Sequence, residues 1–157
     1  MNPKLRALFE EYEDVHRHPM NRLTHKIAIP LIVFHIVAML SWVPLGRVGG
    51  FELNLAHLAY LATVAWYFGL SVKLAVVMAV LFALCFPLAS VVSWPVVVAI
   101  AVVAWVIQLA GHVVWEKRSP AFVRNLLQAL VGPLYFVAIL LGDWRVTTEA
   151  PRPERAA

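Results

Sequence analysis

The sequence predicts an all-α integral membrane protein, a bundle of four to five transmembrane helices preceded by an amphipathic helix. Hydrophobic residues make up 62% of the 157 residues, and the mean hydropathy is +0.78, whereas a soluble domain is closer to half apolar. Between Ile27 and Trp115 the only acidic or basic residues are Arg47, Glu52 and Lys73. Apolar runs of about 20 residues, the length that crosses a bilayer, recur along this region.

The N-terminal segment 4–16, KLRALFEEYEDVH, predicts an amphipathic helix. Leu5, Phe9, Tyr12 and His16 follow one another at spacings of three and four, which places them on one face. Such a helix is expected to lie on the membrane surface or against the bundle. His16 belongs to the inward face, an unusual position for an imidazole.

The apolar runs predict four spans and one ambiguous segment. The predicted spans cover residues 25–44, 53–71, 73–92 and 96–115. The segment 121–141 is open between a fifth span, a re-entrant piece and an interfacial helix, because basic, amide and proline residues interrupt it. Together these segments are expected to form one membrane domain over residues 1–145, followed by a disordered tail at 146–157.

The distribution of basic residues predicts a cytoplasmic N-terminus, because lysine and arginine are enriched in cytoplasmic loops. In that orientation nine lysine and arginine residues lie at the cytoplasmic side and only Arg47 lies outside, with the three after residue 141 unassigned. The isoelectric point near 9.6 therefore reflects topology and does not indicate nucleic-acid binding. The expected location is a bacterial inner membrane, or the endoplasmic reticulum in a eukaryote.

The same orientation brings polar residues from distant parts of the sequence to one membrane depth, at the cytoplasmic side. Ionisable side chains near the hydrocarbon usually mark a functional site, and several imidazoles with a carboxylate suit iron, zinc or manganese. The alternative is a set of interfacial histidines that bond to carbonyls and lipid phosphates. The residues are His16, His18 and His25 at the first span, and Gln108, His112 and Glu116, spaced i, i+4, i+8, at the fourth.

The remaining two histidines, His35 and His57, lie within predicted spans. Histidines on facing spans can ligate a haem, but these two differ in depth by roughly 8–12 Å at 1.5 Å per residue. The preferred interpretation is that each bonds to a carbonyl or to a polar neighbour such as Asn54. A haem-binding electron carrier and a non-catalytic scaffold or transporter stay open as alternative functions.

Two half-motifs carry a resemblance to a known family. Tyr12, His16, Asn21, His25 and Pro30 read Y-x3-H-x4-N-x3-H-x4-P, and the later stretch reads QLAGHVVWEKRSPA. In this order, on a chain of this size and hydropathy, the motifs resemble those of the 2-hydroxy fatty acid dioxygenase family of small membrane proteins. The similarity spans roughly residues 5–141.

The resemblance implies an iron(II)-dependent dioxygenase of fatty acid α-oxidation, which converts a 2-hydroxy fatty acid and O2 to the acid one carbon shorter and CO2. The implied Fe2+ ligands are His16, His25 and His112, with His18 and Glu116 as further candidates. The implied catalytic residues are Glu116, Asn21 and Gln108. The predicted substrate-binding residues are Arg22, Lys26, Arg118 and Tyr12. The expected partners are the lipid-like substrate, O2 and the bilayer, without nucleic acid, and a homo-oligomer stays open.

Overall fold

A computed structural model describes residues 1–146, so the predicted disordered tail at 146–157 lies, apart from Val146, outside the described residues. The described chain is helical except for one hairpin, and a π-helical segment continues the sixth helix. The helices are α1 (Pro3–Asp14), α2 (Pro19–Ser41), α3 (Leu55–Phe68), α4 (Val72–Ala83), α5 (Cys85–Val91), α6 (Trp94–Ala110), α7 (Ala121–Arg124) and α8 (Leu127–Leu140), the π-helical segment is Gly111–Glu116, and the antiparallel strands are β1 (Pro44–Val48) and β2 (Phe51–Asn54).

Among residues 1–146, three helical stretches are long and apolar enough to cross a membrane: Pro19–Ser41, Val72–Val91 and Trp94–Glu116. The predicted span at 53–71 is shorter in the structure, because its first residues belong to the hairpin and α3 has 14 residues. Fourteen helical residues extend roughly 21 Å, less than the roughly 30 Å of a hydrocarbon core. The mostly helical architecture is confirmed, whereas a bundle of four to five spans is not.

The second helix begins at Pro19, about six residues before the predicted start of the span. Proline is well suited to the first helical turn, where its missing N–H has no helical acceptor to bond. His18 caps this helix, since its Nδ1 accepts the Met20 N–H at 3.1 Å. The apolar pattern that predicted a span from residue 25 marks where the helix becomes hydrophobic, and about two more polar turns of the same helix precede that residue.

The amphipathic character of α1 is confirmed, and its apolar face packs against α8. Leu5, Phe9 and Tyr12 are at most 3% exposed. Phe9 meets Tyr135 of α8 edge to face, with ring centroids 5.5 Å apart. The partners of α1 are therefore protein side chains, and this packing carries the end of the helix, with His16 just beyond it, to the centre of the molecule.

Helix α2 has the central position and contacts α3, α5, α6 and α8. The π-helical segment that follows α6 approaches α2 closely at Gly111, where a Cβ would lie 2.3 Å from Thr24 Oγ1 and 2.4 Å from Asn21 Oδ1. No side chain larger than hydrogen fits at these distances. The glycine thus allows the start of the π-helical segment to lie directly against the first turns of α2.

Candidate metal centre and apolar cavity

Three histidines from separate elements converge in the interior. His16 lies in the bend after α1, His25 lies in α2, and His112 lies in the π-helical segment. Each side chain is at most 1% exposed, and their candidate ligand atoms all lie within 4.8 Å of one another. The structure therefore brings together the three histidines of the implied ligand set, from positions far apart in the sequence.

Backbone hydrogen bonds orient two of these rings. His16 Nδ1 donates to the Tyr12 carbonyl at 2.6 Å, and His25 Nδ1 donates to the Asn21 carbonyl at 2.7 Å. Because a carbonyl only accepts, each Nδ1 carries the proton and each Nε2 keeps a free lone pair. Burial, and then the neighbouring His25, lower the pKa of His16 well below its usual value, so its ring is neutral. A neutral, oriented imidazole is the form that binds metals.

The third histidine closes the triad. His112 Nε2 lies 3.0 Å from His25 Nε2, and among the described residues its buried Nδ1 has no hydrogen-bond partner. Two nitrogen lone pairs repel at this distance unless a proton or a cation lies between them. Three inward-facing imidazoles are a donor set that zinc and iron(II) both accept. The residues therefore fit a divalent transition metal.

The π-helical segment carries two of the predicted site residues, His112 and Glu116. They are four residues apart within it and have different partners. His112 joins the triad, whereas Glu116 lies against the bend between α1 and α2. The segment ends at Lys117, which has a left-handed backbone with φ of 53°.

The carboxylate of Glu116 holds this bend in place. Its Oε1 accepts the Arg17 N–H at 3.0 Å, and its Oε2 accepts the His18 N–H and the Asn21 Nδ2–H, each at 3.0 Å. Charge-assisted hydrogen bonds of this kind are stronger than neutral ones. Glu116 thereby ties the π-helical segment to the residues that follow His16.

Asn21 contacts both His25 and Glu116, the first through its backbone and the second through its side chain. Its carbonyl accepts from His25, while its amide nitrogen donates to Glu116. It is fully buried. The other candidate ligand, His18, serves as the cap of α2 and lies outside the triad.

Of the four predicted substrate-binding residues, Tyr12 is buried and Arg22 is half-buried, with its charge close enough to His16 to act on it electrostatically. The other two lie at the surface. Tyr12 stacks on His16 with ring centroids 3.9 Å apart, and burial raises the pKa of its hydroxyl well above the usual value. Arg118 lies at the surface 3.8 Å from Asp14, and Lys26 is exposed. Neither of these two residues nor Arg22 lines the cavity described below.

The two histidines outside this region make the hydrogen bonds expected of them. His35 Nδ1 donates to the Leu31 carbonyl at 3.0 Å. His57 forms a capping box with Asn54. The His57 ring nitrogen Nδ1 accepts the Asn54 backbone N–H at 3.2 Å, and the His57 backbone N–H donates to Asn54 Oδ1. The interpretation of both as hydrogen-bonded structural residues is confirmed.

An apolar cavity of about 170 Å³ extends from the triad along α2. His16 and His112 form part of one end, and the wall continues along one face of α2, through residues 29, 33, 36 and 40, towards α3. The amide side chains of Gln108 and Gln128 also line the cavity, as do Tyr60 and Thr63 of α3. Sequence reasoning treated Gln128 only as an interruption of an apolar segment; an amide within an apolar run was the signal that could have found it.

Comparison with known proteins identifies the family. The family model described as 2-hydroxy-palmitic acid dioxygenase Mpo1-like matches residues 3–144. The chain is 28% identical over 133 residues to the 2-hydroxy-palmitic acid dioxygenase MPO1 of Saccharomyces cerevisiae. The matched region covers 85% of this chain and 76% of the yeast protein. No solved structure shows significant similarity to the chain. The chain therefore belongs to the 2-hydroxy-palmitic acid dioxygenase Mpo1-like family.

Proposed function

We propose that this protein is an iron(II)-dependent dioxygenase that converts a 2-hydroxy fatty acid and O2 to the acid one carbon shorter, CO2 and water. The observation that carries the proposal is the convergence of three buried imidazoles, two with Nε2 free, at one end of an apolar cavity. The yeast relative is named for oxygenation of 2-hydroxy-palmitic acid, a molecule with the same division between a polar head and an apolar chain.

The proposed reaction needs no reductant besides the substrate. The bond between C1 and C2 breaks, C1 leaves as CO2, and C2 becomes the new carboxyl carbon. These two changes release four electrons, which reduce one O2. One oxygen atom enters the new carboxyl group and the other leaves as water, so atoms and electrons balance.

The residues of the site have distinct roles in this proposal. His16, His25 and His112 hold the metal, and Glu116 with Asn21 fixes the elements that carry them. Iron(II) bound there would supply the one-electron chemistry that makes O2 reactive. The apolar walls exclude bulk water, which protects reactive species from side reactions.

The cavity provides a place for the acyl chain. Its α2 wall, residues 29–40, extends roughly 16 Å at 1.5 Å per residue. One leaflet of a bilayer is about half of a roughly 30 Å hydrocarbon core, so the wall has about the length of one membrane acyl chain. Burial of each methylene group contributes about 0.8 kcal/mol, which favours a long-chain acid over a short one.

The contacts of the surface charges support placing the triad at the cytoplasmic side. Two basic residues that the positive-inside rule assigns to that side have acidic partners: Lys73 pairs with Asp143 at 2.8 Å, and Arg118 lies 3.8 Å from Asp14, near the end of α1. Arg47, assigned to the opposite side, pairs with Glu52 within the hairpin. Attraction of the substrate carboxylate by Arg22, Lys26 or Arg118 stays a prediction.

The test compares metal content and oxygen uptake in purified wild-type protein and in His112→Ala. We expect about one iron per wild-type chain, O2 uptake with 2-hydroxyhexadecanoate, and release of pentadecanoate, because all three imidazoles are needed to hold the metal. We expect the variant to lose both iron and turnover while it stays folded. His18→Ala is the matched control, since His18 lies outside the triad. Iron-loaded wild type that consumes no O2 with any 2-hydroxy acid would contradict the proposal.

A further inference from the structure

Gln128 is a buried amide without a partner. It lies near the start of α8, its side chain is 1% exposed, and among residues 1–146 neither its Nε2 nor its Oε1 has a hydrogen-bond partner. A buried amide that is left unpaired is unfavourable. Native structures retain such groups chiefly where a ligand, an ion or an ordered water satisfies them. The amide lines the cavity that also contains His16 and His112.

The position of Gln128 relative to the triad follows from its own helix. Gly132 is four residues further along α8, hence one turn away on the same face, roughly 6 Å along the axis. A Cβ at Gly132 would lie 3.1 Å from the Tyr12 hydroxyl, and the Tyr12 ring stacks on His16. The unpaired amide is therefore on the cavity wall about one helical turn from the tyrosine that covers a triad histidine.

We infer that the Gln128 amide binds the polar head of the substrate and distinguishes a 2-hydroxy acid from the same acid without the hydroxyl. This inference rests on the proposed function and deepens it, since it assigns the recognition of the 2-hydroxyl to a residue of α8. Gln128 is a specificity-determining residue in this assignment. The metal is held by other elements, so Gln128 is not required for metal binding.

The hydrogen-bonding groups of the Gln128 amide and of a 2-hydroxy acid are complementary. A 2-hydroxy acid presents a donor, its hydroxyl, and an acceptor, its carboxylate, on adjacent carbons. A primary amide presents an acceptor, Oε1, and a donor, Nε2, on one carbon, so the two can form a paired set of hydrogen bonds. A fatty acid without the hydroxyl can satisfy Nε2 only and leaves Oε1 buried and unpaired. Sites built to bond a substrate hydroxyl reject analogues that lack it for this reason.

The experiment measures binding of 2-hydroxyhexadecanoate and of hexadecanoate to the iron-loaded protein in the absence of oxygen. The variants are Gln128→Leu and the nearly isosteric Gln128→Met. We expect each variant to bind the hydroxy acid about tenfold more weakly, as for loss of one or two hydrogen bonds, with hexadecanoate bound at least as tightly as by wild type. Iron content is expected to be unchanged, and kcat/KM in air should fall through a higher KM.

The matched control is Asn125→Ala. Its Oδ1 accepts the Leu127 N–H at 3.1 Å, so the substitution alters the start of α8 without touching the cavity wall, and the preference for the hydroxy acid should stay as in wild type. If the two Gln128 variants keep the wild-type preference, an ordered water satisfies the amide and the inference is wrong. Failure of both variants to fold would also overturn it, because an amide with no protein partner is not needed for folding.

The outcomes separate this inference from the proposed function. Wild type that prefers the hydroxy acid, with the preference lost in both variants, supports the inference even if O2 uptake is never observed. Wild type that turns over the hydroxy acid, with Gln128→Leu equally selective, leaves the proposed function standing and rejects the inference.

Discussion

His25 and His35 lie ten residues apart on the same helix and make the same local hydrogen bond. Each Nδ1 donates to the carbonyl four residues earlier, Asn21 for His25 and Leu31 for His35, and each side chain is at most 3% exposed. The local hydrogen bond leaves Nε2 of each ring unprotonated in the neutral state.

Their surroundings are what differ. The Nε2 of His25 faces His112, and the centroids of the His25 and His16 rings are 4.5 Å apart. The aromatic neighbour of His35 is instead Trp105, with ring centroids 6.4 Å apart. Helix α2 therefore orients both imidazoles by the same hydrogen bond, but only His25 packs against other histidines, one from the π-helical segment and one from the bend. An oriented neutral histidine forms part of a candidate metal site only where other elements place further donor atoms beside it.

The largest expected effect separates these two histidines directly. We expect His25→Ala to lower metal affinity by more than about 100-fold, since removing a ligand exceeds the 10–100-fold cost of removing a group that orients one. His35→Ala should keep its metal, because His35 lies outside the triad. Metal analysis of both purified variants after dialysis decides the matter. Equal metal content in the two variants would remove the distinction between these positions.

The next effect tests the close approach that completes the triad. Gly111→Ala places a methyl group 2.3 Å from Thr24 Oγ1 and 2.4 Å from Asn21 Oδ1, so either these side chains or the backbone at Gly111 must shift. We expect a stability loss of about 1–3 kcal/mol, as for overpacking, together with weaker metal binding. Thermal unfolding with and without metal measures both.

The matched control for this substitution is Thr24→Ala. Alone it removes only the hydroxyl that donates to the Asn21 carbonyl, and its effect should be small. Combined with Gly111→Ala it relieves one of the two clashes, so the double variant should recover part of the lost stability. Strict additivity of the two changes would contradict a direct clash between these positions.

The smallest expected effect sharpens the role of Glu116. Glu116→Gln keeps the shape of the side chain but replaces one acceptor oxygen with a donor nitrogen, which opposes the N–H groups of the bend. We expect a loss of about 2 kcal/mol in stability, typical of hydrogen bonds to charged groups, and metal affinity lowered about tenfold. Denaturant unfolding and metal titration are the measurements.

Glu10→Gln is the matched control, because Glu10 forms an exposed pair with Arg6 that contributes little. A positioning role for Glu116 predicts that the loss of metal affinity in Glu116→Gln stays near tenfold. A loss of more than about 100-fold, as expected for His25→Ala, would favour the alternative in which Glu116 is itself a ligand.

The amino-acid sequence by itself determined the class of the protein and the identity of the triad. Apolar runs and sparse charges predicted a helical membrane-type chain, and the paired motifs predicted the family and its three histidines. These features can be predicted from the sequence because hydropathy and motif spacing are properties of single segments.

Only the tertiary structure decided how those segments meet. Three features depend on neighbours distant in sequence: the close approach of Gly111 to Asn21, the hydrogen bonds of Glu116 to the bend, and the place on the cavity wall of Gln128, whose amide has no hydrogen-bond partner among residues 1–146. The length of α3, 14 residues, is set by a hairpin before it and by a turn at residues 69–71 after it, which the apolar pattern did not reveal. Hydropathy records how well a residue tolerates burial, but not which partner it is buried against, and the chemistry of this site depends on its partners.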